Sequence, residues 1–289
     1  MSENTLTNTE LKKKDIKLKI IVYIVSILLT LMILWPIIMM LVDNFTSEVT
    51  IVPGPYGTYQ EQAKTVYFMT QHPFRDFAKN WTRFARDHQG LFVGLKNSLI
   101  VTVPSTIFTL YFSALTAYAI TAYEWKLKKV FDKFIIVVMM IPNTISTVGF
   151  YQLVYKYGLV NRLSMLILPA IAAPMTVFFM RMYLQATFSM EIVESARLDG
   201  AGEFRIFNQI ILPMLKPAIA TQAIFAFVTS WTNSYVPHII LLDAEVMTLP
   251  LIGGYTIWFS YASFIPPIIV YALCSKHIVE GVALGSVKN

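Results

Sequence analysis

Charge is what this sequence has least of. Asp, Glu, Lys and Arg make up 14% of its 289 residues, against about 25% in an ordinary soluble domain. The deficit falls in long uncharged runs separated by short charged stretches, as when membrane spans alternate with loops. A soluble α/β enzyme does not fit, because its buried strands run about 4–8 residues rather than 18 or more. Cysteine is nearly absent as well: Cys274 stands alone in an apolar run, so no intrachain disulfide exists. His72, His88, His238 and His277 show no ligand spacing, and no metal site is expected. No Gly-Lys dipeptide occurs, so the chain has no nucleotide-cradling G-x-x-x-x-G-K-[ST] loop. It also lacks H-E-x-x-H and G-x-S-x-G, and no catalytic residue is expected.

What is present is 56% apolar residues and a net charge of +6. Six stretches carry no Lys, Arg, Asp or Glu: Ile20–Val42, Asn97–Tyr123, Phe134–Tyr155, Leu163–Met180, Ala218–Leu242 and Leu249–Ser275. Each is long enough to cross a hydrocarbon core of about 30 Å as a helix, which takes about 20 residues. Backbone polar groups inside a bilayer must pair internally, so these stretches are expected to be helical. The alternation of a transmembrane β-strand is missing. The expected fold is therefore an all-α integral membrane protein with six transmembrane helices. Its parts are an N-terminal tail 1–19, a membrane domain 20–280 and a C-terminal tail 281–289. Prolines 36, 104, 142, 169, 174, 237, 266 and 267 lie within the spans and are expected either to kink them or simply to pack. The first run is too long for a signal peptide's apolar region of about 7–15 residues and is expected to be a retained span.

Six spans put both termini on one side. That side carries Lys12, Lys13, Lys14, Lys17, Lys19, Lys126, Lys128, Lys129, Lys133, Arg181, Arg197, Arg205, Lys216, Lys276 and Lys288, fifteen of the twenty-three basic residues. The positive-inside rule makes it cytoplasmic and accounts for the net charge without nucleic acid. The outer loop 43–96 holds Phe74, Phe77, Trp81 and Phe84 at helical spacing. That predicts an amphipathic helix, placed at the outer membrane interface or against a partner subunit.

The inner loop 181–217 is the more informative. Residues 194–213 read ESARLDGAGEFRIFNQIILP. The pattern predicts one helix from about Ser189 to Leu198, a turn at Gly200 and a second helix from about Gly202 to Leu212. Glycine suits the left-handed residue that ends a helix. In the second helix Phe204, Phe207 and Ile211 form one apolar face. Such a helix-turn-helix either folds back on its own spans or forms a docking knob.

The spacing Glu194-Ser195-Ala196, Gly200, Ile210, Leu212-Pro213 resembles the Glu-Ala-Ala loop of permease subunits in binding-protein-dependent ABC importers. Ser195 is the single departure. Asp199-Gly200-Ala201 followed by Glu203-Phe204-Arg205-Ile206-Phe207 is similar to the carbohydrate, maltose-transporter-type subfamily. So are Ser230-Trp231 with Pro237, Thr248-Leu249-Pro250 and the C-terminal segment 281–288. That subfamily has Asn directly after the tryptophan, where this chain has Thr232 and then Asn233. The resemblance covers residues 18–289.

The resemblance implies a type I importer permease fold with a cytoplasmic coupling loop. It implies a second permease subunit, two ATP-binding subunits that use ATP and Mg, and an extracytoplasmic solute-binding protein, all around a path through membrane lipid. It assigns coupling to Glu194, Ser195, Ala196, Asp199, Gly200, Glu203, Arg205, Ile210, Leu212 and Pro213. The cargo it implies is a sugar or oligosaccharide; glycerol phosphate or another small polar solute is the alternative. Phosphate would favour Lys or Arg along the route, and the spans have neither. A secondary transporter would carry ionisable coupling groups inside its spans; these hold no Lys, Arg, Asp or Glu, and His238 is the only imidazole among them. A sugar needs hydrogen-bonding groups and flat apolar faces, so the pathway candidates are Asn143, Ser146, Thr176, Trp231, Asn233 and Tyr235. Bonding between helices is the plainer use of such groups.

Overall fold

The computed structural model describes residues 16, 18–35, 38, 46–51, 64–69, 89–252 and 257–286. The predicted amphipathic helix around Phe74–Phe84 lies outside them. The chain divides into two compact units, Met1–Asp87 and His88–Asn289. The first contains helix α1 (Leu18–Trp35) and strands β1 (Thr46–Ile51) and β2 (Lys64–Met69), which pair antiparallel with Val49 opposite Val66. Sequence reading gave no hint of strands inside the long outer loop. Both are rich in β-branched and aromatic residues, which suit a pleated surface.

The second unit is helical and is organised around α2 (Gln89–Ala122), 34 residues long and about 51 Å at 1.5 Å per residue. Then come α3 (Lys128–Met139) and α4 (Asn143–Lys156). Next is α5 (Ser164–Ile167), extended by a 3-10 turn, Leu168–Ile171, and followed by α6 (Pro174–Thr187). The inner loop forms α7 (Met190–Leu198) and α8 (Glu203–Met214). The chain continues as α9 (Lys216–Trp231), α10 (Tyr235–Ile240), α11 (Leu249–Ile252) and α12 (Ile257–Ser286). Helix α2 packs against α6, α9 and α11, and α9 packs against α12.

Among the described residues, three helices are long and apolar enough to cross a membrane, or five if each of two bent pairs counts as one span. The stretch expected to span from Leu249 to Ser275 includes residues outside the described ones; its apolar helix Ala262–Lys276 is shorter. The expected span Phe134–Tyr155 is broken at one of the prolines named above, with α3 and α4 meeting at 95°. Pro142 sits at the break as the N-cap of α4 with ψ 129°. Its missing N–H and ring sterics stop a helix from running through. Proline does not always break a helix here: Pro104 lies within α2, and Pro266 and Pro267 within α12. A second bend of 79° separates α8 from α9.

Candidate functional site: the inner loop and a polar cavity

The loop's local geometry follows from its sequence. Ser189 caps α7, its hydroxyl accepting the Glu191 N–H at 3.4 Å. Glu191 in the first turn and Arg197 in the last complement the helix dipole. At the other end the Ala201 N–H donates to the Ala196 carbonyl and the Gly200 N–H to the Arg197 carbonyl, both at 3.0 Å. This crossed pair is a Schellman motif, which needs a left-handed residue, and Gly200 has φ +79°. A Cβ at Gly200 would meet nothing within 4 Å. The backbone angle, not space, calls for glycine there.

Helix α8 is irregular, with a π-helical turn at Phe207–Ile211, a feature frequent at functional sites. Its buried face is Ile206, Phe207 and Ile211, while Phe204 is 74% exposed. Of the predicted stripe, Phe207 and Ile211 are buried but Phe204 is not; Ile206 and the half-buried Ile210 share the face with them instead. That face joins Val193, Ala196 and Leu215 in one core with Ala114, Ala117 and Tyr118 of α2. Phe207 stacks on Tyr118 with ring centroids 5.9 Å apart and meets Tyr111 edge-on at 5.5 Å. The Tyr111 hydroxyl donates to Asn208 Oδ1 at 3.3 Å.

Polar contacts fasten the same joint. Arg197 Nε donates to Glu203 Oε1 at 2.7 Å, and the Tyr123 hydroxyl donates to Glu203 Oε2. The Arg197 guanidinium also lies over the Tyr123 ring, 5.6 Å from its centroid. These contacts, the Arg197 bond first, hold the Glu203 carboxyl below the usual glutamate range. Nearby, Arg181 Nη2 of α6 pairs with Asp132 Oδ2 of α3 at 2.6 Å. Of the other coupling candidates, Glu194, Ser195, Asp199 and Pro213 are exposed and Ala196 is buried. Ile210 and Leu212 are half-buried against the core. Arg205 is occupied by Gln209, Nε to Oε1 at 2.9 Å.

The second feature is a cavity of about 270 Å³ between α2, α4, α9 and α10. It brings together three of the six pathway candidates: Asn143, Ser146 and Asn233. The other three are placed elsewhere. Trp231 is 1% exposed, stacks on Phe227 with centroids 5.6 Å apart, and donates from Nε1 to the Ser263 carbonyl at 3.0 Å. Thr176 is buried in α6, and Tyr235 is 55% exposed.

The family now follows from comparison with known proteins. Residues 110–278, more than half of the chain, match the family described as "Binding-protein-dependent transport system inner membrane component". The chain belongs to that family. The arabinooligosaccharides transport system permease AraQ of Halalkalibacterium halodurans is 32% identical over 205 residues, 67% of this chain and 73% of AraQ. The trehalose/maltose transport system permease MalG of Thermococcus litoralis is 26% identical over 292 residues, 96% of this chain and 99% of MalG. The sn-glycerol-3-phosphate transport system permease UgpE of Brucella melitensis is 27% identical over 201 residues, 65% of this chain and 71% of UgpE. A crystal structure of a bacterial ABC transporter involved in importing the acidic polysaccharide alginate shares the fold. Its TM-score is 0.71 at 20% identity, covering 91% of this chain and 97% of that one.

As a member of this family, the permease is a multi-pass inner-membrane component that works in a complex with other subunits. Sequence reasoning about it overlooked Tyr123, which reaches Glu203 across 80 residues, and Arg197, which reaches it across six. It also gave no pathway role to Ser98, Thr102, Ser230 and Thr248 of the cavity wall. A signal for part of that wall was available. Ser98, Thr102, Ser105, Thr109 and Ser113 recur at four- and three-residue steps in an uncharged run, and all five are buried. That is one polar face of a helix.

Proposed function

We propose that this chain is one of two permease subunits of an ATP-driven importer that moves a neutral sugar or oligosaccharide inward by alternating access. The loop Ser189–Met214 docks on a separate ATP-binding subunit, whose nucleotide-driven closure, using ATP and Mg, is the source of energy. A second copy of the ATPase serves the partner permease, and an extracytoplasmic binding protein delivers the cargo. Both termini and this loop are cytoplasmic, in keeping with the fifteen basic residues assigned to that side.

The observation that carries the reading is a contrast between two faces of the loop. Its inner face is fixed to α2 by the core around Phe207. Its tip leaves Leu198 89% and Phe204 74% exposed on either side of Gly200. Exposed apolar side chains on a rigid, polar-rimmed element mark a partner surface. Glu194 and Asp199 are the exposed charges beside them, whereas Glu203 serves the internal joint. The sugar assignment is supported by the relatives AraQ and MalG and by a cavity wall without Lys or Arg among the described residues. Glycerol 3-phosphate, the cargo in the name of UgpE, is the second reading and would favour a cationic route.

The test is co-purification of the ATPase with the permease, together with ATP-dependent uptake of labelled sugar. Leu198→Asp and Phe204→Asp are expected to abolish both without changing membrane abundance. Full ATPase binding in the double variant would reject the loop as the docking element.

A further inference from the structure

We propose that the cavity between α2, α4 and the α9–α10 junction is a sugar-binding station of this chain itself, holding one neutral ring of the cargo in transit. The inference rests on the importer reading above but goes beyond it, assigning a cargo contact to this subunit rather than to its partners.

The first argument is an unfilled hydrogen-bonding position. Thr248 lines the cavity, is 4% exposed, and its Oγ1 has no partner among the described residues. A buried hydroxyl without a partner is costly, and a ligand oxygen at this wall would supply one. Asn143 and Ser146 are exposed residues that also lie on the wall. The Asn143 amide and Ser146 hydroxyl make no hydrogen bond among the described residues, so both are free to meet a ligand. Three groups of mixed donor and acceptor character thus converge on one space, as the hydroxyls of a sugar require.

The rest of the wall is held in place beforehand. Ser98 Oγ accepts the Leu249 N–H at 2.8 Å, and the Ser230 hydroxyl donates to Thr102 Oγ1 at 3.2 Å. Asn233 Oδ1 accepts the Val236 N–H at 3.4 Å. Two of the lining asparagines stand at helix interruptions: Asn143 opens α4 after the break at Pro142, and Asn233 lies between α9 and α10. Irregular backbone at membrane depth is tolerated where it lines a cavity, and paired broken helices mark transport sites. Phe150, Pro169 and Pro237 supply flat apolar surface for the C–H faces of a ring.

The wall also selects. No Lys, Arg, Asp or Glu lines it among the described residues, so an ionised cargo would lose its hydration without a counter-charge. The volume of about 270 Å³ lies just below the range of ~300–1,000 Å³ usual for small-molecule sites. That suits one ring of an oligosaccharide better than the whole molecule.

The test uses the complete transporter in proteoliposomes, with ATP, magnesium and binding protein. Its permease carries Ser146→Cys in a Cys274→Ser background. A matched control carries Ile145→Cys, next to the cavity position but off its wall and 65% exposed. Whichever of maltotriose, raffinose or arabinotriose is transported should slow alkylation of the Ser146→Cys variant at least fivefold and leave the control unchanged. Glycerol 3-phosphate should slow neither. Ser146→Trp should abolish uptake while keeping ATPase co-purification and ATP hydrolysis. If sugar uptake continues without protection, if glycerol 3-phosphate alone protects, or if Ser146→Trp transports normally, the station is refuted and the importer reading survives. If the unmodified complex takes up none of these sugars, the sugar-importer reading itself fails.

Discussion

Arg197 Nε lies 2.7 Å from Glu203 Oε1, which ties the last turn of α7 to the first residue of α8 across the Gly200 bend. The same carboxylate receives the Tyr123 hydroxyl from the end of α2. One side chain thus closes the loop on itself and fastens it to the longest helix of the unit. The loop is thereby joined to α2, whose other end reaches the 245–249 segment. There Asn97 Nδ2 donates to the Glu245 and Met247 carbonyls at 2.9 and 3.0 Å.

Breaking this clasp should loosen coupling more than it lowers abundance. The Arg197–Glu203 pair is partly exposed, and such pairs contribute roughly 0.2–1 kcal/mol. Glu203→Ala is therefore expected to reduce transport per ATP hydrolysed by about two- to fivefold. Arg197→Ala in the same chain should add little, because the two share one interaction. Fully additive losses in a double-mutant cycle would mean that the side chains act separately.

Acid should reveal the same clasp. The folded-state pKa of Glu203 is lowered, chiefly by the Arg197 bond and then by Tyr123. Its contribution is thus present in full above the ordinary glutamate value of about 4.3 and is lost as pH falls through the lowered value. Protease resistance of the loop should be constant from neutral pH down to about 5 and should fall below the ordinary value. In Glu203→Gln that acid-dependent step should be absent. A Glu203→Gln protein with an unchanged acid profile would assign the step to another group.

Gly200 offers a test of backbone strain without steric clash, since an added Cβ meets nothing within 4 Å. Gly200→Ala should cost about 1–2 kcal/mol of loop stability through its left-handed angle, and Gly200→Val more. Insertion and pairing with the partner permease should be unaffected, while ATPase co-purification and sugar uptake fall. Equal ATPase binding by glycine, alanine and valine proteins would show that the turn is not needed for docking.

Trp231 should behave as a packing residue rather than a cargo contact. It is buried and joins α9 to α12 through the Ser263 carbonyl. Trp231→Ala is expected to lower stability by about 3–5 kcal/mol and to reduce membrane abundance. Trp231→Phe, which loses the hydrogen bond, should cost about 1–3 kcal/mol and leave cargo preference unchanged. A shift in sugar selectivity at normal abundance would return Trp231 to the pathway.

Orientation has its own test. In a Cys274→Ser background, Asp199→Cys should be labelled by an impermeant thiol reagent only after the membrane is opened. Labelling in intact cells would reverse the proposed topology.

The sequence by itself determined the membrane class, because uncharged runs of about 20 residues have few other solutions. It also determined the helix-turn-helix of the loop. Ser189 and Gly200 act within one turn of chain, where cap and left-handed angle are local properties, whereas packing on α2 set the buried face of α8 and left Phe204 out of it. Three-dimensional packing decided what the polar residues do. Glu203, one of the coupling candidates, is bonded within the chain by Arg197 and Tyr123; Trp231, a pathway candidate, is buried. Asn143 and Asn233 lie 90 positions apart, and only the Pro142 break and the interruption after Trp231 bring both to one cavity. A polar side chain in a span has many possible partners, and sequence spacing cannot choose among them. The packing of α2 against α9 and α11 made that choice.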